Sequence, residues 1–193
     1  MEIQMYQAGD EFAIVDLFET VFQRPWSLEQ WKWRFGNNPA GNHKIALMWD
    51  KKVLAGHYAV SPVNMYLNES PLKTALSLTT MTHPDYGGRG VFKALSTYLY
   101  DHLENKEGFK FIWGFPNTNS HYGFIKYLGW RDINVIHTLA ASPQRFTNLK
   151  DLQITKVPRF SDGMASLLLS RAKQSSIYVD RSSEYLNWRI VDK

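Results

Sequence analysis

The chain has no cysteine in 193 residues. Its own side chains therefore supply no disulfide, no thiol nucleophile and no thiolate metal site. It also lacks an apolar run of membrane-spanning length, and Met1 to Phe12 has no basic start followed by an apolar stretch. Neither a transmembrane helix nor a secretory leader is expected, and a cytoplasmic protein is the default. The six histidines (His43, His57, His83, His102, His121, His137) show no paired spacing of the H-E-x-x-H kind, so no metal is expected. His102, on an apolar helical stripe, reads as a core residue rather than a ligand. Charge is only mildly unbalanced, at +4 with a pI near 9.2, and the basic residues form no runs. That balance suits a polyanionic small molecule better than nucleic acid, and no membrane partner is implied. Oligomeric state is left open, a homodimer being one option.

Apolar content is ample instead: 44% of residues are hydrophobic and 15% aromatic, enough for one well-buried domain with a partial second. The most informative stretch runs from Thr74 to Glu104. Thr74 to Thr82 is uncharged and rich in β-branched and apolar residues, which reads as a largely buried strand. Pro84 ends it. Gly87-Gly88-Arg89-Gly90 follows, and Val91, Ala94, Leu95, Tyr98, Leu99 and Leu103 then mark one face of a helix. The unit is strand, glycine turn, helix. The first amides of a helix lack internal partners and lie at the positive end of its dipole, and glycines let a backbone approach a phosphate closely. Arg89 adds positive charge. The plainer reading is a tight turn with a solvated arginine. The turn is not G-x-x-x-x-G-K-[ST], so a coenzyme pyrophosphate held without a metal fits better than a hydrolysed triphosphate.

Pro84 to Phe92 resembles the acyl-CoA pyrophosphate loop of the GNAT N-acetyltransferases, [Q/R]-x-x-G-x-[G/A] entered from a strand and opening a helix. Gly87 stands where Gln or Arg is usual, and Phe92 where Gly or Ala is usual. A second block, a strand at Phe109–Phe115, Pro116-Asn117, a helix from Ser120 to Leu128 and Gly129-Trp130, resembles the family's next strand and helix. The resemblance spans about Ile3 to Leu139. It implies acetyl-CoA as co-substrate, held by backbone near Thr80, Met81 and Thr82. It places the pyrophosphate on Gly87, Gly88, Arg89, Gly90, Val91 and Phe92, and the pantetheine near Asn117 and Ser120.

Elsewhere, Ile3 to Tyr6 reads as a strand and Ala13 to Phe22 as a helix that Asp10 is placed to cap. Ser27-Leu28-Glu29-Gln30 has capping-box form and opens a helix through Phe35. Lys44–Trp49 and Val53–Val63 read as a hairpin about Asp50-Lys51-Lys52, and Arg131–Leu139 and Ile154–Phe160 as further strands. The expected fold is α/β, a GNAT-like twisted mixed sheet with helices on both faces, in which the strands at 74–82 and 109–115 run parallel and splay around the coenzyme. The expected division is 1–142 for this domain and 143–193 for a C-terminal extension. Ser27–Phe35 and Ser182–Ile190 share Ser, Glu, Trp and Arg at identical spacing, so the extension reads as part of a second GNAT-like lobe. An ordinary amphipathic helix is the alternative.

Acetyl transfer to an amine needs a held thioester carbonyl and groups that take and return protons. Without cysteine, direct attack by the amine is expected. The family's thiolate-protonating tyrosine corresponds to Ile125, which cannot donate. Tyr122, one helical turn earlier, is the first candidate and Ser120 the second. Glu29 and His57 are candidate bases. The reading is an N-acetyltransferase for a small primary amine, an amino sugar being one acceptor, with a non-catalytic acyl-CoA-binding or regulatory module as the alternative.

Overall fold

A computed structural model describes residues 1–135 and 155–193. β1 (Glu2–Met5) leads into α1 (Glu11–Phe22) and α2 (Leu28–Trp31), which widens into a π turn at Lys32–Gly36. β2 (Lys44–Asp50), β3 (Val53–Leu67) and β4 (Ser70–Thr82) follow as a meander. Its two tight turns place Lys51, and then Asn68 and Glu69, at left-handed backbone angles, as the twist of a hairpin requires. Next come α3 (Val91–His102), β5 (Phe111–Trp113) and α4 (Thr118–Leu128). α5 (Asp162–Ala172), β6 (Ile177–Val179) and α6 (Ser183–Leu186) close the described chain.

The strands form one mixed sheet in the order β1-β2-β3-β4-β5, all neighbours antiparallel except β4 and β5. β3 is longer than β2, and β6 pairs with its free far end, Tyr66 opposite Tyr178. The expected architecture is the observed one: helices cover both faces. On one face Ile14, Leu17 and Phe18 of α1 and Trp31 and Phe35 pack on Leu47 and Ala59. On the other, Val91, Leu95 and Leu99 of α3 and Phe124 of α4 pack on Tyr58, Val60 and Ala75. Burying each such aliphatic side chain is worth roughly 1.5–3 kcal/mol. Gly56 in β3 lets α3 sit this close, because a Cβ there would lie 2.3 Å from Val91 Cγ1. No helix among the described residues is long and apolar enough to cross a membrane.

Several local expectations change. The Asp10 side chain does not cap α1. It turns back to accept from Gln7 N–H (2.8 Å), while Glu11 accepts from Gly9 N–H (2.7 Å) and Tyr6 Oη–H (2.8 Å). The predicted strand at 109–115 shrinks to Phe111–Trp113, because β5 leaves β4 after the Leu76–Trp113 pair. Arg131 to Val135 and Thr155 to Phe160 form no strand. Phe160 instead exchanges hydrogen bonds with the Asn187 side chain (2.8 and 3.0 Å). The rest of the first of these predicted strands, Ile154 of the second, and the 142/143 boundary lie outside the described residues. His102 is a quarter exposed rather than in the core, with Nε2 3.5 Å from Glu107 Oε1.

Candidate active site

β4 and β5 stay in register for three residue pairs, Thr74–Phe111 to Leu76–Trp113, and then part. The gap beyond is a cavity of about 190 Å³. Its walls are Ser77 to Thr80 of β4, Gly114 to Asn117 after β5, and Ser120 and Phe124 of α4. Gly114 keeps the gap open, since a Cβ there would meet the Trp130 ring at 3.2 Å and Ser77 O at 3.3 Å. Trp130 is itself fixed through Tyr100: its Nε1–H donates to Tyr100 Oη (3.1 Å), which lies 2.6 Å from Tyr58 Oη, in turn 2.9 Å from Ser77 Oγ. Burial pushes the Tyr100 hydroxyl up to about 12 and Tyr58 well above its usual value, so both stay protonated as links.

Within that wall β4 is bulged. β3 pairs His57 with Met81 but Ala59 with Leu78, so Tyr58 alone faces both Thr79 and Thr80. Thr79 takes φ 53°, a left-handed angle costly for a β-branched residue. His57 clamps it by donating Nδ1–H to Thr79 O (2.7 Å). His57 is fully buried, with no protein partner among the described residues at Nε2, and burial lowers its pKa to about 4. A neutral, fully buried ring with its Nδ1 committed to a carbonyl is a fastener, which leaves Glu29 of the two candidate bases.

The glycine turn stands at the end of β4. Gly88 and Gly90 both take left-handed angles, φ 72° and 75°, with open space where a Cβ would be. Gly90 precedes α3, no side chain among the described residues caps that helix, and the first helix-closing bond runs from Ala94 N–H to Gly90 O (3.0 Å). The amides before Ala94 are thus free for an anion. The Arg89 guanidinium lies 5.0 Å from the centre of the Tyr86 ring, whose hydroxyl donates to Asp50 Oδ2 (2.9 Å). The Phe92 ring does not narrow the turn. It is turned inward against Phe124 (5.2 Å between centres), and a Cβ on Gly123 would meet it at 3.1 Å. Residues 2–133 match the acetyltransferase (GNAT) domain family.

The chain belongs to the GNAT acetyltransferase family. No curated protein sequence matches it. Among solved structures it is similar to an acetyltransferase of Trypanosoma brucei, at 16% identity and TM-score 0.56, over 72% of this chain and 99% of that one. It is similar to an aminoglycoside acetyltransferase from a soil metagenome at 16% identity and TM-score 0.54, over 73% of this chain and 95% of that one. For glucosamine-6-phosphate N-acetyltransferase of Arabidopsis thaliana the values are 12% and 0.55, over 74% and 100%. At these identities the likeness is one of fold.

The GNAT helix α4 sorts the candidate catalytic hydroxyls. Asn117 caps it, its Oδ1 accepting from Asn119 N–H (3.1 Å), Ser120 N–H (3.0 Å) and Ser120 Oγ–H (3.0 Å). Asn117, Ser120 and Phe124 line the cavity, Ser120 and Phe124 four residues apart on one face. Tyr122 lies two residues from each, on the outward side: it is 59% exposed, is absent from the cavity wall and accepts a hydrogen bond from Lys126. Of the central-strand candidates, Thr80 lines the cavity, the Met81 side chain is buried in the α1–α2 core, and Thr82 pairs with Gly56.

A second, wider cavity of about 1000 Å³ opens on the α1–α2 side. Phe18, Trp26, Glu29 and Arg34 line it, Ile190 and Asp192 close it, and Thr79 is part of its wall as well. Thr79, the bulged residue, is therefore a wall residue of both cavities. Sequence reasoning did not find Thr79 in that place, and no pattern in the chain announces a bulge at a threonine. Glu29, a candidate base, does line this second cavity.

Proposed function

We propose that the protein is an acetyl-CoA-dependent N-acetyltransferase that transfers the acetyl group directly to a small primary amine, with amino sugars among the acceptors to test. The observation that carries the reading is that Thr79 is a wall residue of two cavities, one between the parted strands and one beside α1 and α2. The residues present suit the co-substrate: an uncapped helix start with two open glycines for the pyrophosphate, and a gap between parallel strands for the arm. Bound there, acetyl-CoA supplies an activated carbonyl carbon. The backbone of Thr79 and Thr80, past the last β4–β5 pair, lies along that gap and is available to orient the carbonyl. Glu29 is the carboxylate placed to take the proton that the attacking amine loses. Ser120 Oγ, on the cavity wall and hydrogen-bonded to Asn117 Oδ1, is the hydroxyl that can turn to donate a hydrogen bond to the departing sulfur, which takes its proton from solvent, and it replaces Tyr122 in that role. Structural neighbours that acetylate aminoglycosides or glucosamine 6-phosphate support testing amino sugars first.

One observation favours a non-catalytic acyl-CoA-binding module. Isoleucine stands at position 125, and the nearby Tyr122 faces solvent. Release of free CoA thiol from acetyl-CoA across a panel of primary amines decides between the readings. Amine-dependent release is expected. Acetyl-CoA that binds but yields no free thiol with any amine would leave the module.

A further inference from the structure

The echo between Ser27–Phe35 and Ser182–Ile190 is physical. Ser27 accepts from Gln30 N–H, and Ser182 accepts from Tyr185 N–H 155 residues later. Each short helix then widens into a π turn closed at the same place, Asn37 N–H to Lys32 O (3.1 Å) and Asp192 N–H to Asn187 O (2.9 Å). The two turns grip each other through the tryptophan they share. Trp33 Nε1–H donates to Trp188 O (2.8 Å), Trp188 Nε1–H donates to Trp33 O (3.0 Å), and the rings stack 5.9 Å apart. A pair of mutual bonds between equivalent atoms is the mark of a local two-fold relation.

That relation brings the next residue of each copy, Arg34 and Arg189, to the same neighbourhood. Like charges beside one another are unfavourable unless something neutralises them. Among the described residues, no carboxylate lies within 4.0 Å of either guanidinium. Asp192, the acid nearest in sequence, is taken by Arg159 in a two-pronged bond of 2.7 and 3.1 Å. Arg34 lies against the Trp33 ring (5.8 Å) and lines the wide cavity, as does Glu29; Arg189, exposed, stands outside that wall beside Ile190, which is part of it. Burial first, and the Arg189 charge second, hold the Arg34 pKa below its usual value.

We propose that Arg34 and Arg189 bind an acidic group, phosphate or carboxylate, carried by the acceptor, so that the acceptor class is an amine that also bears an acid. The amine end then faces Glu29 and Thr79, and the acid end faces the arginine pair. This rests on reading the wide cavity as the acceptor site.

The test is calorimetric titration of inorganic phosphate into the full chain at saturating CoA, which occupies the glycine turn. Wild-type protein should bind phosphate saturably. Arg34→Gln and Arg189→Gln should each weaken it about tenfold or more, as expected for a hydrogen-bonded charge. Lys52→Gln, in the distant β2–β3 turn, should leave it unchanged. No saturable binding, or equal loss in all three variants, overturns the proposal. Arg189 is exposed, so its variant remains decisive even if Arg34→Gln fails to fold. Acetylation of ethanolamine against phosphoethanolamine, and of an alkylamine against the matching amino acid, then separates phosphate from carboxylate. A lower KM for one acidic member, lost in Arg189→Gln, supports the subsite. Equal KM values for acidic and neutral members overturn it. Phosphate binding needs no turnover, so failure of the transferase reading would show as absent thiol release while the titration still decides the arginine pair.

Discussion

Adding one methyl group at Gly56 tests how the sheet supports the glycine turn. An ideal Cβ there would lie 2.3 Å from Val91 Cγ1 and 2.9 Å from Leu95 Cδ1, with Met81 O at 3.4 Å. Carbon atoms rest about 3.5–4.0 Å apart, so the start of α3 must retreat by about 1 Å. Val91 is β-branched with one strongly preferred rotamer in a helix, and it cannot swing aside. Overpacking of this kind costs about 1–3 kcal/mol. At roughly 2–4 °C per kcal/mol for a chain of this size, Gly56→Ala should lower the Tm by about 2–12 °C. Because the displaced residues begin α3, CoA affinity should fall along with stability. Gly36→Ala is the control: open space surrounds that position and its φ is not in the left-handed range, so its Tm should match wild type. Differential scanning calorimetry and CoA titration of the two variants make the measurement. A Gly56→Ala protein with wild-type Tm and wild-type CoA affinity would refute the argument that this glycine sets the seat of the helix.

Gly90→Val forces a β-branched residue to φ 75° at the start of α3, and calorimetry should show CoA binding weakened at least about tenfold. Ser120→Ala should lower turnover about 10²-fold with acetyl-CoA affinity nearly unchanged, whereas Tyr122→Phe should alter neither; the reverse result in single-turnover kinetics would return the acid to Tyr122. Stability should fall as pH drops from about 6.5 towards 4. His57 is neutral in the fold, with a pKa near 4, and protonates more readily once unfolded, where 6.5 is usual. At ~1.4 kcal/mol per unit the loss by pH 4 is on the order of 3 kcal/mol. His57→Gln should flatten this part of a urea-denaturation pH profile.

The strand–glycine–helix unit was legible because its signals are local. An uncharged β-branched run, Pro84, three glycines in four residues and a 3.6-residue stripe each act within one element. The Ser27–Gln30 capping box was legible for the same reason and forms with both bonds at 3.1 Å. What the chain concealed depends on how elements rotate against one another. That Ser120 rather than Tyr122 faces the cavity follows from how α4 sits against Trp130 and Phe92. That His57 is a buried clamp follows from its place in a central strand beneath Phe35. The bulge at Thr79 runs against the preference of its own residue, and only the pairing of β3 with β4 reveals it. The repeat at Ser182 was visible as spacing, but spacing does not say that two copies touch.

The mutual tryptophan bonds carry a consequence for the order in which the molecule is made. Chains emerge from the ribosome from the amino end, and early segments can fold before later ones exist. Every strand pair from β1 to β5 lies within residues 1–135. Trp33, however, waits for a partner 155 positions downstream, a contact of the long-range kind that slows folding. A nascent chain can therefore hold β1 to β5 paired while one wall of the wide cavity, at Ile190 and Asp192, is still missing. The Ile190 and Asp192 wall of that cavity is completed last, when Trp188 arrives.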